Sequence, residues 1–242
     1  MFPLKDDNPT QNTSFVTIAI IFLCILIYVY QLSLTDVNNN QFIYDYGMKP
    51  SFLFSGKGLK NNTLTAVFTI FSSMFMHGGL LHLGGNMLFL WIYGNNIEDA
   101  MGSFKFIIFY LTCGIAAALL QALITPNSDI PMIGASGAVS GVLSAYFLLY
   151  PKARVSTLVI LFFFITVIRI PAGILIGIWF ITQLLNAYQT NPNSPGVAWY
   201  AHIGGFIMGA VLIPFFKKDN YKFFSTGKKK PKKKKIRLSF RK

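Results

Sequence analysis

Residues 134–150 read GASGAVSGVLSAYFLLY, and the interpretation of the whole chain starts from this stretch. It is apolar enough for a membrane helix but short, it is rich in Gly, Ala and Ser, and Pro151 follows it directly. Gly137 and Gly141 stand four residues apart, a spacing that lets a neighbouring helix approach the backbone closely. The stretch therefore predicts a tightly packed helix inside a membrane bundle, with Ser136 near its beginning.

The composition of the chain favours lipid as its surroundings. Of the 242 residues, 53% are hydrophobic and 12% are charged, whereas a soluble domain carries about 25% charged residues. Several apolar segments approach the roughly 20 residues that a helix needs to cross a bilayer. They lie at about 14–32, 80–97, 105–125, 134–150, 170–188 and 199–216. We therefore expect an all-α, polytopic membrane protein with a bundle of six transmembrane helices.

The segments outside these spans differ in composition. Residues 1–13 are polar and are expected to form a short mobile terminus ahead of a membrane domain at 14–216. Residues 33–79 form a long connection whose apolar pieces are too short to span, so it is expected to lie partly in the membrane interface. Residues 155–169 are interpreted as an embedded or interfacial connection before the fifth span.

The basic tail, residues 217–242, carries most of the positive charge. It holds 13 of the 21 Lys and Arg residues and one acid, so the rest of the chain is nearly neutral. The positive-inside rule places the tail in the cytoplasm, and six spans then place the N-terminus there as well. We expect the tail to be a disordered topology determinant that contacts anionic lipid. Nucleic-acid binding, which charge alone would allow, is not expected.

The start of the chain bears on its location. The first apolar segment begins near Ser14 without a preceding basic region or a clear cleavage site, so it is interpreted as a retained helix. The lack of a recognisable transit sequence and the small core favour the plasma membrane of a prokaryote. Both cysteines, Cys24 and Cys113, lie in apolar segments and are interpreted as packing residues.

All the histidines of the chain, His77, His82 and His202, lie in or beside predicted spans. Ionisable side chains are costly there and indicate function by default, although one alone is about as often a structural histidine between helices. His82 and Asn86 are four residues apart and share one helix face. The run lacks both the glutamate and the histidine spacing of a zinc-protease helix, so no metal site is expected.

Ser136 and His202 form the candidate catalytic pair. Gly134 and Gly137 flank the serine and leave room for a substrate backbone. Helix packing alone would nevertheless explain most such motifs. The span of His202 carries its own pair of small residues, Gly205 and Gly209. Both side chains lie near the same end of their spans, so His202 could act as the base that a serine nucleophile needs.

These elements together resemble the rhomboid family of intramembrane serine proteases. The resemblance covers about residues 14–216 and rests on the run from His77 to Asn86, on GASG at 134–137 and on AHIGGFIMG at 201–209, in that order. It implies an endopeptidase that cuts other membrane proteins in or near their transmembrane segments, without a cofactor.

The resemblance also implies roles for individual residues. Ser136 would be the nucleophile and His202 the general base, in a dyad without a third acid. The oxyanion would be held by His82, Asn86 and the backbone N–H of Ser136. Loop 189–198 would cap the site, and the fifth span would act as a lateral gate.

Two other functions remain as alternatives. A small transporter or channel would carry charged residues at mid-span, and the predicted spans lack them. A noncatalytic rhomboid-like protein that binds membrane clients would be expected to lack Ser136 or His202, and both are present.

Overall fold

The computed structural model describes residues 2–54, 63–161 and 164–226. A π-helical turn, Leu90–Gly94, joins the helix Leu80–Phe89 to the helix Asn95–Met101, so that the three form one continuous element. The helices are α1 (Phe15–Ser33), α2 (Asp36–Tyr46), α3 (Pro50–Phe54), α4 (Thr63–Ser73), α5 (Leu80–Phe89), α6 (Asn95–Met101), α7 (Ser103–Ile124), α8 (Ser136–Leu149), α9 (Ala172–Gln189) and α10 (Trp199–Phe216). The strands are β1 (Phe2–Asp6), β2 (Arg154–Leu161) and β3 (Phe164–Pro171). The helical membrane bundle that the sequence predicts is confirmed.

Within the described residues, the helices long and apolar enough to cross a membrane are α1, α7, α9 and α10. A bent pair, Ala66–Phe75 and Leu80–Met101, makes a fifth span if its two arms, which meet at 83°, are counted together. Each predicted span thus coincides with a helix, but length and composition support four or five complete crossings and not six. Large apolar side chains such as Phe22 and Phe215 are exposed on the outside, as on a lipid-facing surface.

Helix α8 lies at the centre of the bundle, and most of its side chains are buried. It has 14 residues, which at the helical rise make about 21 Å, against a hydrocarbon thickness of about 30 Å. A helix of this length is too short to cross the hydrocarbon layer. Ser136 is its first residue.

Glycines bring α10 directly against α8. A Cβ at Gly205 would lie 1.9 Å from the carbonyl oxygen of Gly137, and a Cβ at Gly209 would lie 2.3 Å from that of Gly141. On its other side, a Cβ at Gly141 would lie 2.4 Å from Cys113 Sγ of α7. Since no real Cβ approaches another atom so closely, α8 is held between α7 and α10 at a distance that only glycine allows.

A three-stranded antiparallel sheet with strand order β1-β2-β3 lies outside the helices, and the sequence analysis did not predict it. β2 and β3 occupy the segment 155–169 that we interpreted as an embedded connection. β1 pairs with β2, so the expectation of a mobile terminus at 1–13 was wrong for Phe2–Asp6. The strands are rich in β-branched residues, which favour a pleated surface, but their nearly continuous apolar run hides the two-residue period that distinguishes a strand.

Glu98 and Asp99, at one end of the bundle, bind segments near the beginning and the end of the described chain. The carboxylate of Glu98 accepts hydrogen bonds from the backbone N–H of Val16 and Thr17 at 3.0 and 2.8 Å, and so satisfies the N-terminus of α1. Asp99 accepts hydrogen bonds from the backbone N–H of Gln11 at 3.0 Å and from the Tyr221 hydroxyl at 3.1 Å.

The first part of the basic tail is packed against the same end. The Lys218 ammonium donates to the carbonyl of Asp99 at 2.8 Å, and the backbone N–H groups of Phe224 and Ser225 donate to Leu148 and Leu149 at the end of α8. The expectation of a disordered tail was therefore wrong for residues 217–226. The lysine run 228–235 lies outside the described residues.

Candidate active site

The structure brings Ser136 and His202 together. Ser136 is the first residue of α8 and His202 lies in the first turn of α10. Ser136 Oγ and His202 Nε2 are 2.8 Å apart, a hydrogen-bond distance, and His202 is buried. The small-residue packing of α8 on α10 brings the starts of the two helices, and with them the hydroxyl and the imidazole, to the same depth.

The backbone ahead of Ser136 is fixed at Gly134. Its N–H donates to the carbonyl of Ser73 at 2.8 Å, which ties the turn before α8 to the end of α4. Its φ of +126° belongs to the region that favours glycine. A Cβ there would also lie 2.7 Å from His82 Nε2. Both the conformation and the close histidine therefore require glycine at this position.

His82 and Asn86 lie on one face of α5 beside this turn. The backbone N–H of Gly78 points at His82 Nδ1, at 3.4 Å, and the Asn86 amide donates to the His82 carbonyl at 3.0 Å. Because an N–H can only donate, Nδ1 is the acceptor and the ring proton of neutral His82 is on Nε2. That nitrogen is the one that faces Gly134.

His77 is placed differently from the other histidines. Its ring packs edge-on against His82, with centroids 5.1 Å apart, and it is almost fully buried. Neither of its ring nitrogens has a hydrogen-bond partner among the described residues. Its backbone instead exchanges two hydrogen bonds of 3.2 Å with the Gln31 side chain of α1. His77 therefore shapes the entry to α5.

A cavity of about 980 Å³ opens over the pair. Its wall includes Ser136, His202, His82 and Asn86, and residues of loop 189–198 such as Pro192 and Gly196. The side chains that the sequence analysis selected from separate spans thus border one space, with the predicted capping loop at its edge. The cavity is lined mainly by apolar groups with these few polar side chains among them, and its size admits water as well as an extended peptide segment.

Gln183 of α9 is the site residue that the sequence analysis missed. Its Oε1 lies 2.8 Å from His202 Nδ1, and its side chain is buried. The available signal was its place near the middle of the fifth apolar span, where an amide needs a partner. A search for ionisable side chains within the spans does not select it, because glutamine carries no charge.

Among the residues that the structure describes, no group of three or more His, Cys, Asp or Glu side chains could hold a metal ion. Glu98 and Asp99, which follow α5 in the sequence, lie in α6 at the far end of the element that begins with α5.

Comparison with known proteins agrees with this architecture. The model of the Rhomboid domain family matches residues 64–218, more than half of the chain. The chain belongs to the rhomboid family.

Individual relatives give the same assignment. The chain is 29% identical over 162 residues to Rhomboid protein 1, mitochondrial, of Saccharomyces cerevisiae, which covers 63% of this chain and 43% of the relative. It is 35% identical over 91 residues to Rhomboid protease GluP of Bacillus subtilis, covering 36% of this chain and 17% of the relative. It is 26% identical over 174 residues to Rhomboid-like protein 11, chloroplastic, of Arabidopsis thaliana, covering 66% and 58%.

The alignments thus span between 17% and 58% of the lengths of these relatives. The chain is an integral membrane protein of this family, and one of its relatives is named a protease. Two of these relatives are named mitochondrial and chloroplastic and the third is bacterial, so their names leave the expected prokaryotic plasma membrane unsupported.

Proposed function

We propose that this chain is an intramembrane serine endopeptidase with Ser136 as nucleophile and His202 as general base. The observation that carries the proposal is the 2.8 Å separation of Ser136 Oγ from His202 Nε2 inside a membrane helix bundle. A hydroxyl is a weak nucleophile until a base within hydrogen-bond reach takes its proton. A partly buried serine–histidine contact on the wall of a large cavity supplies that arrangement.

The developing negative charge needs donors of its own. His82 carries its proton on Nε2, next to Gly134, where a Cβ would be only 3.7 Å from Ser136 Oγ. The Asn86 amide has two N–H groups, and the backbone N–H of Ser136 belongs to the first turn of α8, whose N–H groups have no partner within the helix. We assign these three donors to the oxyanion.

The reaction follows from these roles. Ser136 Oγ forms a bond to the scissile carbonyl carbon while its proton moves to His202 Nε2, and the carbonyl π pair moves to the oxygen held by the donors. When the oxyanion collapses, the C–N bond breaks and His202 returns the proton to the leaving amine. Water then attacks the carbonyl carbon of the acyl-enzyme and gives a proton to His202. When this second oxyanion collapses, the bond between Ser136 Oγ and the carbonyl carbon breaks, His202 returns the proton to Oγ, and the carboxylic acid product is released.

The position of the site constrains the substrate. Because α8 is short, Ser136 is reached from within the membrane thickness, where a transmembrane helix of another protein can present its backbone. A helix hides its carbonyl groups in internal hydrogen bonds, so the segment must unwind before it is cut. Substrates with Gly or Pro near the cut site, which weaken a helix, are expected to be cleaved faster.

We also infer that both ends of the described chain lie on the cytoplasmic side. Gln11 near the beginning and Tyr221 near the end both bind Asp99, so the two segments share one end of the bundle. Lys105 and Lys152 stand close in sequence to the helix ends on this side, in agreement with the positive-inside rule. We propose that the basic tail contacts anionic lipid there.

Cleavage of a single-span reporter protein in lipid vesicles tests the proposal. Purified wild type and Ser136→Ala are compared at equal membrane incorporation, and the product ends are located by mass spectrometry. We expect wild type to cut in or near the reporter span and Ser136→Ala to leave it intact. Equal cleavage by both would sink the assignment, and capture of the intact reporter by both without cleavage would favour a client-binding protein.

A further inference from the structure

The side chain of Gln183 lies beside the candidate base, His202, and makes hydrogen bonds through both its oxygen and its nitrogen. Its side chain is 4% exposed and lies on α9, while His202 lies on α10. Gln183 Oε1 is 2.8 Å from His202 Nδ1, and Gln183 Nε2 donates to the Trp179 carbonyl at 2.8 Å and to the Thr182 hydroxyl at 3.1 Å. Both ends of the amide are therefore occupied.

The Trp179 carbonyl decides which way the amide faces. A backbone carbonyl oxygen can only accept hydrogen bonds, so the NH₂ group of Gln183 must face it. If the amide were turned over, its oxygen would lie about 2.8 Å from the Trp179 carbonyl oxygen, and the two would repel each other. The NH₂ group would then face the imidazole. The contacts of α9 with itself thus direct Oε1, an acceptor, toward His202.

An acceptor at this position decides the proton location on His202. Nδ1 must carry the hydrogen, and in the neutral ring Nε2 is then the bare nitrogen with its lone pair. That lone pair faces Ser136 Oγ at 2.8 Å. The opposite tautomer would place a hydrogen between His202 and Ser136 and would set a lone pair against Oε1.

The surroundings of the His202 imidazole restrict both its orientation and the partners available to Nδ1. The rings of Trp179 and Trp199 lie 5.9 and 6.0 Å from it, centroid to centroid, and limit its rotation. The helices that meet here, α8, α9 and α10, contain no Asp or Glu, so none of them provides a carboxylate for Nδ1. A neutral amide occupies the place that an acid holds in a serine–histidine–aspartate triad.

We propose that Gln183 is a positioning residue that holds His202 in the Nδ1–H tautomer and so keeps Nε2 ready to take the proton of Ser136. This role rests on the proposed protease function. As the proton moves from Ser136 Oγ to Nε2, His202 becomes positively charged and its Nδ1–H continues to donate to Gln183. That hydrogen bond becomes charge-assisted and stronger in the transition state.

A contact that strengthens in the transition state affects turnover more than substrate binding. Gln183→Leu is therefore expected to lower kcat by about 10–100-fold, part of the 10²–10⁴ that general base catalysis contributes, with KM little changed. In its neutral form, the side chain introduced by Gln183→Glu can donate its O–H to the Trp179 carbonyl and keep an acceptor oxygen toward Nδ1, so this variant is expected to recover much of the loss. The matched control is Gln189→Leu, the same substitution at an exposed position on the same helix.

Nitrogen-15 NMR of the histidine rings in the purified protein reports the tautomer without any substrate. The signals of His202 are assigned by comparison with His202→Ala, and the folded state of each variant is checked by its thermal unfolding. We expect the Nδ1–H form in wild type, Gln183→Glu and Gln189→Leu, and a mixture of tautomers in Gln183→Leu.

The outcomes separate this role from the proposed function. A folded Gln183→Leu protein with the wild-type tautomer or the wild-type kcat would overturn the role of Gln183. A wild type that cuts no reporter, yet shows the Nδ1–H form that Gln183→Leu loses, would refute the protease proposal and still support the positioning contact.

Discussion

Gly205 of α10 lies so close to Gly137 of α8 that a Cβ on Gly205 would come within 1.9 Å of the Gly137 carbonyl oxygen. Ser136 directly precedes Gly137, and His202 stands three residues before Gly205. The approach that packs the two helices therefore also sets the separation between the hydroxyl and the imidazole. Helix packing and the proposed chemistry depend on the same glycines.

Gly209→Ala tests this dependence one turn further along the interface. The added methyl group would lie 2.3 Å from the carbonyl oxygen of Gly141, so α8 and α10 must separate. We expect a loss of about 1–3 kcal/mol in the free energy of unfolding, typical of overpacking. Reporter cleavage should fall as well, because the two helices carry Ser136 and His202. Thermal unfolding in detergent and the cleavage rate in vesicles measure the two effects.

Gly84→Ala is the matched control for that variant. A Cβ at Gly84 meets no atom within 4 Å, and the residue lies inside α5. Alanine there should leave cleavage unchanged and raise stability by about 0.5–1 kcal/mol, because glycine is the poorer helix former. Equal damage from both substitutions would mean that any added methyl group harms the bundle, and the specific role of the α8–α10 contact would be lost.

Asn86→Ala tests the proposed oxyanion donors. Loss of one such donor is expected to lower kcat by about 10²–10³ and to change KM little, because the donor acts on charge that appears only in the transition state. The kinetics of reporter cleavage in vesicles measure both constants. Asn38→Ala, at an exposed position on α2, controls for loss of an asparagine. A raised KM with unchanged kcat would assign Asn86 to substrate binding instead.

Asp6→Asn tests how the first strand is attached. Burial raises the pKa of Asp6 from 3.8 to about 6, although the Tyr146 hydroxyl, which donates to it at 2.6 Å, partly opposes that rise. The neutral carboxyl is thus favoured in the fold. Its contribution to stability is complete below about pH 4 and is lost as the pH rises through 6. The loss amounts to about 3 kcal/mol at most.

Thermal unfolding between pH 4 and pH 8 checks this expectation. Wild type should lose stability over that window, and Asp6→Asn should lose less of it and exceed wild type above pH 6. Asp36→Asn, which removes an exposed acid from α2, controls for the change in net charge. Parallel curves for wild type and Asp6→Asn would show that ionisation of Asp6 has no part in the pH dependence.

The membrane helices could be predicted because lipid imposes a simple rule on sequence. A helix satisfies its own backbone in hydrocarbon, so long apolar runs such as 105–125 identify spans directly. The predicted segments at 170–188 and 199–216 agree with α9 and α10 to within about two residues, the usual uncertainty at helix ends. Both glycine pairs at the α8–α10 contact could also be recognised from their spacing.

The sheet and the docked tail could not be predicted in the same way. β2 and β3 lie in a stretch that is mostly apolar, so neither a helical nor a strand period stands out. The strand Phe2–Asp6 forms only because β2 offers it an edge, a partner about 150 residues away. Gln183 was missed for a similar reason, since the value of its amide depends on a histidine from another helix.

Labelling with a serine-reactive phosphonate tests the central claim most directly. The reagent is added to the protein in lipid, and the modified residue is identified and its rate of modification measured by mass spectrometry. We predict an adduct on Ser136 in wild type, none at that position in Ser136→Ala, and a greatly slowed reaction in His202→Ala. An adduct on another serine, or an equal rate at Ser136 without His202, would contradict the assignment of these two residues as nucleophile and base.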